Sequence, residues 1–436
     1  MTRAEQQIEP QERWQIPFFA IWTGQIFSLA GSRVAQFALI WWLTQQTGSA
    51  TILATATLVG LLPEIILGPI AGAYVDRWNR RIVMILADAL VALASLGLAC
   101  LFWLDAIQIW HIYAVMVVRA IGSSFHWPAM QASTSLMVPK KHLSRVAGLN
   151  QALNGALSIV GPPLGALLLA LLPLEGIMLV DVGTAALAIL PLFFVMVPQP
   201  PRAVPDGDGR KPTLWADIRG GLGYIASWPG LVVLIALAMV IKVALTPAFS
   251  LLPLLVSQHF GGDAVQLSLL ESLAGVGIIT GGLSLSVWGG FRRQIFTVLL
   301  GVVGVGLGFV ILSLTPAYLF ILALGSILIV GLSIPLVDGP IMAIMQGTVA
   351  PEMQGRVFTL MGSLLWLTSP LGLAIAGPVS DLFGLQVWYL VAGLLCVVLG
   401  SAGFFVPALV QIEENHRAAA AGGAAQAPET ASIVAD

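Results

Sequence analysis

Ionisable side chains stand where the surrounding sequence is almost wholly apolar. Arg33, Glu64, Asp88, Arg119, Asp181, Lys242, Glu271 and Asp338 all fall inside long hydrophobic runs, with Gln36 and His126 in the same company. Each charge inside a bilayer costs about 2.5–3.5 kcal/mol on insertion scales, so such residues are candidates for function. They can pair with one another, bind an ion or a substrate, or carry a proton. A carboxylate suits the last task, because desolvation and a nearby cation pull its proton affinity in opposite directions. Arginine keeps its charge and tunes such a group without carrying protons itself.

Depth sorts these candidates. Glu64 lies twelve residues before Asp76 at the end of its run. That is ~18 Å at ~1.5 Å per helical residue, near the middle of a ~30 Å core. Arg119 and Lys242 fall near the same depth, and Arg33 lies somewhat further out. Asp88, Asp181, Glu271 and Asp338 lie nearer the edges. Glu64 is thus the expected proton carrier, with a structural ion pair to Arg119 or Arg33 as the alternative. Asp88, Asp181 and Asp338 suit pairing or helix capping better than transport. Lys242 can anchor an anionic substrate or pair with Glu271 or Asp338. His126 is either a hydrogen-bonded core residue or a ligand for substrate or proton.

Elements that span a membrane must hold these residues. The chain has 436 residues, of which 58% are hydrophobic and 9% charged. A soluble domain carries about 25% charged residues, so an ordinary water-soluble enzyme is excluded. A crossing helix needs about 20 apolar residues. Twelve runs meet that need: 16–44, 51–75, 82–104, 108–137, 143–172, 174–197, 231–257, 264–288, 294–314, 317–347, 356–380 and 385–409. The runs are continuous, unlike the alternation of a barrel. The first is expected to be a retained span, since Arg3, Glu5, Glu9, Glu12 and Arg13 precede it and no small-residue cleavage site ends it. Every even-numbered loop carries Lys or Arg, while the odd loops hold no Lys or Arg and carry Asp105, Glu175, Asp263 and Asp381. Of the 19 basic residues, 16 fall on one side and three within spans. This pattern places both termini in the cytoplasm.

The expected organisation is a tail (1–15), a six-helix half (16–197), a linker (198–230), a second six-helix half (231–410) and a disordered tail (411–436). Within the linker, Leu214 to Ile225 can form a surface helix. The halves share faint repeats. Arg80-Arg81 matches Arg292-Arg293, and Pro163-Leu164-Gly165 echoes Pro370-Leu371-Gly372. Two similar halves with a substrate site between them are a known transporter plan. The glycines from Gly301 to Gly308 read as helix packing. Trp14, Trp103, Trp110, Trp288 and Trp388 stand near span ends as expected interfacial anchors. Cys100 and Cys396 read as buried apolar thiols.

One loop carries a specific pattern. Gly72-x-x-x-Asp76-Arg77-x-x-Arg80-Arg81 lies between the second and third spans. It resembles the loop signature of the major facilitator superfamily, and the resemblance covers essentially residues 14–410. The resemblance implies a major facilitator fold: an all-α membrane protein of twelve transmembrane helices with cytoplasmic termini. Gly72 would let the second and eleventh spans approach closely. Asp76 would face a helix N-terminus, and the arginines would bind carboxylates across the halves, holding the cytoplasmic side shut in the outward-open state. Gly161-Pro162-Pro163 and Gly165 resemble the glycine–proline antiporter motif in part; Leu157 and Ala166 stand where glycines are usual. Gly31 to Trp42, Leu62-Pro63-Glu64 and Arg119…His126…Pro128-Ala129 are similar to the macrolide-efflux and siderophore-exporter branch.

The expectation is a proton-coupled exporter of an amphiphilic small molecule, such as a macrolide-type drug, in the bacterial cell membrane. A siderophore exporter or a lysophospholipid flippase is the alternative within the fold. A membrane-embedded enzyme would need a nucleophile–base or metal constellation, and a channel would not need two repeated halves. No phosphate-binding loop or metal-ligand cluster is present in the sequence. The expected partners are the substrate, protons and the lipid bilayer. No cofactor, no metal and no nucleic acid are expected, and the protein is expected to be a monomer.

Overall fold

A backbone crossing lipid must satisfy its own polar groups, and continuous apolar runs do so as helices. The computed structural model describes residues 14–75, 77–199 and 214–413, and these form helices with no strand among them. The first half comprises α1 (Gln15–Thr47), α2 (Ala50–Val75), α3 (Arg80–Trp103), α4 (Ile109–Met137), α5 (Leu143–Leu171) and α6 (Leu174–Phe194). After the linker come α7 (Leu214–Ala226), α8 (Pro229–Ser250), the short α9 (Leu252–Leu254) and a π-helical turn (Leu255–His259). The second half continues with α10 (Ala264–Trp288), α11 (Gln294–Leu314), α12 (Phe320–Thr348), α13 (Pro351–Phe383), α14 (Leu385–Gly403) and the short α15 (Pro407–Val410).

Among the described residues, eleven helices are long and apolar enough to cross a membrane. The fourth expected span, α4, is the exception. Its 29 residues suffice in length, but they include Arg119, His126 and a stretch of Ser, Thr and Gln. The seventh expected span is one run in sequence but breaks at Leu251 into α8, α9 and the π turn. Pro247 and Pro253 flank the break, and each lacks the N–H that would continue the ladder. The helix expected within the linker is α7, packed against α13 and α8.

Within the first half, α1 packs on α5 and α6, α3 on α4 and α6, and α2 on α4. Within the second, α11 packs on α12 and α14, α10 on α12, and α13 on α8. The α11 glycines serve close packing as expected: a Cβ on Gly306 would fall 2.6 Å from the Gly393 carbonyl of α14. Trp103 and Trp110 are exposed, but Trp388 is buried and donates to the Ala244 carbonyl at 3.3 Å. It is a core residue, not an interfacial anchor. Cys396 is buried as expected, whereas Cys100 is exposed on the outer face of α3.

The halves meet through α2 with α13 and α5 with α10. For convenience, the end carrying the basic loops is the basic end, and the other the acidic end. At the acidic end, Asp381 of α13 accepts from the backbone N–H of Ala50 (2.7 Å) and Thr51 (3.0 Å), and from the Ser49 hydroxyl (3.0 Å). Gln258 donates to the Gly48 carbonyl at 2.7 Å, and the Thr57 and Ser250 hydroxyls lie 2.5 Å apart.

Candidate functional site: a central polar cavity

Beneath that seal lies a cavity of about 850 Å³ between the halves. It reaches from Thr57 and Ser250, near the acidic end, down to Gln131 and Asn150 in the basic third of α4 and α5. Arg33, Gln36, Glu64, Asp88, Arg119, His126, Lys242 and Glu271 all line it. Seven helices from both halves thus deliver their ionisable or amide side chains to one space. The expected depth order needs one correction. Asp88 and Glu271, placed near the edges by residue counting, line the same cavity as Glu64. The cavity runs through most of the thickness, so distance from the midplane does not exclude a residue from it.

Arg119 is not the partner of Glu64. Its guanidinium forms an ion pair with Asp181 of α6, donates to the Ser95 hydroxyl at 2.9 Å, and reaches the Ser32 carbonyl at 3.2 Å. Asp181 is fully buried and also accepts from Ser95 (2.7 Å) and Ser32 (3.0 Å). This network ties α1, α3, α4 and α6 together inside one half. Breaking a buried pair by removing one partner costs about 3–5 kcal/mol.

Glu64 is exposed to the cavity and accepts a hydrogen bond from Ser123 of α4. Asp88 accepts from Gln25 at 2.9 Å, and His126 Nε2 stands 3.5 Å from its other oxygen. Across the cavity, Lys242 lies over the Trp366 ring, 5.8 Å from its centroid, and within electrostatic range of Asp338. Glu271 of α10 is within range of Arg33 of α1, so this pair crosses between the halves. Trp22, Trp127, Phe249 and Trp366 add aromatic surface. The polar and aromatic lining suits a bulky molecule with both apolar and polar parts. Ser123, Gln25, Ser32 and Ser95 were not singled out by sequence. Neutral polar residues are cheap in helices, and only their ionised partners give a signal.

The expected helix-packing motif lies on α5. A Cβ on Gly165 would fall 2.6 Å from the Phe37 ring of α1, while Gly161 has ordinary contact with Arg33. Pro162 lines a second cavity of about 280 Å³ beside Arg33 and Glu271.

The loop after α2 holds the residues of the expected outward-open latch. Among the described residues nothing lies within 4 Å of a Cβ placed on Gly72. Asp76 lies outside the described residues. Asn79 caps α3 by accepting from Arg81 and Ile82 N–H groups. Arg77 is exposed on the turn, its N–H bonded to the Tyr74 carbonyl. Arg80 donates to the Ala132 carbonyl and Arg81 to that of Phe193, both within the first half.

Among the described residues no cluster of His, Cys, Asp and Glu could hold a metal ion. Known proteins resemble the chain along most of its length. Macrolide efflux protein A of Streptococcus pyogenes is 32% identical over 392 residues, covering 90% of this chain and 96% of that protein. The multidrug efflux pump Tap of Mycolicibacterium fortuitum is 28% identical over 412 residues, covering 91% and 97%. In three dimensions, a bacterial homologue of the human lysosomal transporter Spinster, solved inward-facing and unoccupied, matches with TM-score 0.68 at 15% identity, covering 94% of this chain and 98% of that one. The nucleoside transporter NupG matches with TM-score 0.65 at 13% identity, covering 89% and 98%. The sequence pattern of the Major Facilitator Superfamily matches residues 21–373. With that match spanning most of the chain, and with its many membrane-crossing helices, this multi-pass membrane protein belongs to the major facilitator superfamily.

Proposed function

We propose that the protein is a proton-driven exporter of an amphiphilic small molecule, working as a monomer by alternating access in a bacterial cytoplasmic membrane. Its termini and basic loops face the cytoplasm, in line with the positive-inside pattern. One observation carries the reading: a charged and aromatic cavity between the halves, sealed at its acidic end and reaching toward the basic end. In this orientation the conformation is inward-facing. A substrate enters from the cytoplasm or inner leaflet and rests against Trp127, Trp366 and Phe249. Rocking of the halves then carries it outward. The relatives named for macrolide and multidrug efflux support the direction and the substrate class. The cavity carboxylates, Glu64 and Glu271 among them, exchange the substrate against protons.

Reconstitution tests this directly. Inside-out proteoliposomes with an acidic lumen should accumulate radiolabelled erythromycin, and collapse of the gradient should release it. No accumulation of erythromycin, of a siderophore or of a lysophospholipid under that gradient would remove the basis for a proton-driven exporter. Accumulation of only one of the latter two would reassign the substrate.

A further inference from the structure

The line where α5 crosses α10 holds chemistry that the cavity description does not use. Pro162 and Pro163 follow one another in α5. Neither has an N–H, so the carbonyls four residues earlier, on Ser158 and Ile159, have no helical donor. Both face α10 of the other half. The Ser272 hydroxyl donates to the Ile159 carbonyl at 2.7 Å. The Ser158 carbonyl would stand 3.3 Å from a Cβ on Gly275, so the helices touch there backbone to backbone. Ser158 shares the 280 Å³ cavity with Arg33, Pro162 and Glu271. Glu271 precedes Ser272 and lies one turn from Gly275 on the same face. Helical carbonyls point toward the C-terminus, and α5 runs toward the acidic end. The Ser158 oxygen therefore points toward the level of Glu271.

We propose that Glu271 carries the coupled proton. Arg33 holds its carboxylate, and the Ser158 carbonyl, left without a donor by Pro162, accepts from its protonated carboxyl. The inference rests on the exporter reading and names its coupling site. A proton can drive rocking only if it binds one conformation better than the other. Its binding group must therefore change surroundings as the halves move. Glu64 and its partner Ser123 belong to the same half and move together. Glu271 belongs to the second half, while Arg33 and the Ser158 carbonyl belong to the first. Separating the halves along this seam takes away both partners at once. Protonation neutralises the carboxylate and frees Arg33 toward the cavity; deprotonation on the other side restores the pair. One proton crosses per cycle, and no other bond is made or broken.

The charged surroundings of Glu271 are few. Arg33 faces it from α1. In α5 the one charged residue is Arg145, near the basic end. In α12 it is Asp338, roughly 17 Å nearer that end by helical rise. Lys242 of α8 and Glu64 of α2 stand elsewhere on the main cavity wall.

Spin labels at the exposed Ser144 and Ser284, on the basic ends of α5 and α10, test this without a substrate. The wild-type distance distribution should shift between acidic and alkaline samples. Glu271→Gln should stay in the acidic distribution at every pH. Glu64→Gln should weaken erythromycin binding yet keep the shift. Pro162→Ala, which returns a donor to Ser158, should move the midpoint. In proteoliposomes, Glu271→Gln should retain erythromycin counterflow and lose pH-driven accumulation. A Glu271→Gln protein whose distances shift with the wild-type midpoint would overturn the proposal. If that variant fails to fold, Glu271→Asp should fold with a displaced midpoint, and an unchanged midpoint would overturn it equally. A wild type with neither a pH-dependent distance nor accumulation defeats the exporter reading itself; loss confined to Glu64→Gln defeats only the assignment to Glu271.

Discussion

The antiparallel pair α2 and α13 ends differently at its two extremities. At the acidic end a Cβ on Gly377 would fall 2.7 Å from the Thr51 Cα, and Asp381 caps the first N–H groups of α2. At the basic end no described residue comes within 4 Å of a Cβ placed on Gly72 of α2. Yet the two helices carry the same spacing there: Gly72-x-x-x-Asp76 in one and Gly377-x-x-x-Asp381 in the other. In both, a glycine allows backbone approach, and one turn later a carboxylate can meet the positive N-terminus of the partner helix. One sequence element thus recurs at both ends of one contact, and among the described residues it is engaged at the acidic end. On the proposed reading, alternating access would exchange which end is engaged.

Locking the engaged end should have the largest effect. With Cys100 and Cys396 changed to Ser, the pair Thr57→Cys and Ser250→Cys replaces two touching hydroxyls with thiols. Oxidation should reduce transport to background, and dithiothreitol should restore it. Transport that continues while mass spectrometry shows the crosslink formed would mean that the acidic end need not open.

Weakening each carboxylate should push in opposite directions. Asp381→Asn removes the charge from the α2 cap, worth about 0.3–1 kcal/mol at an exposed position. The acidic-end-open population should rise by roughly two- to fivefold, read by spin labels across that end. Asp76→Asn should favour the conformation seen here and slow transport at matched expression, with folding unchanged. Wild-type rates in the Asp76 variant would break the proposed symmetry of the two ends. On the same topology, a cysteine at position 206 should resist impermeant thiol reagents applied outside intact cells.

Much of this arrangement is legible in the sequence because charge in lipid is costly. Glu64, Arg119, Lys242 and Glu271 stand out from apolar runs, and the cavity gathers them. What residue counting supplies is depth, one coordinate of three. It cannot say around which side of its helix a residue points. Glu64 and Arg119 share a depth, yet the arginine turns to Asp181 in the core of its half, while Glu64 turns to the cavity. Trp388 lies near a helix end but points inward to the Ala244 carbonyl. The Pro162–Pro163 pair is visible as a motif; that it hands two carbonyls to the opposite half depends on where α10 crosses, which no local pattern records.

The finest test compares the two glycines. Gly377→Ala places a methyl group against the Thr51 backbone, where no flexible side chain can yield. Overpacking of this kind costs about 1–3 kcal/mol. It should destabilise the conformation with the acidic end closed and lower the melting temperature of the detergent-solubilised protein. Gly72→Ala meets no described residue within 4 Å, and alanine in a helix is favoured over glycine by roughly 0.5–1 kcal/mol. Its melting temperature should hold or rise slightly. Its transport should nevertheless fall, because the methyl obstructs closure of the basic end in the alternate conformation. A variant that is more stable and slower separates a gating glycine from a packing one. If Gly72→Ala transports at the wild-type rate, α2 and α13 do not meet at that residue in any step of the cycle, and the equivalence of the two ends fails.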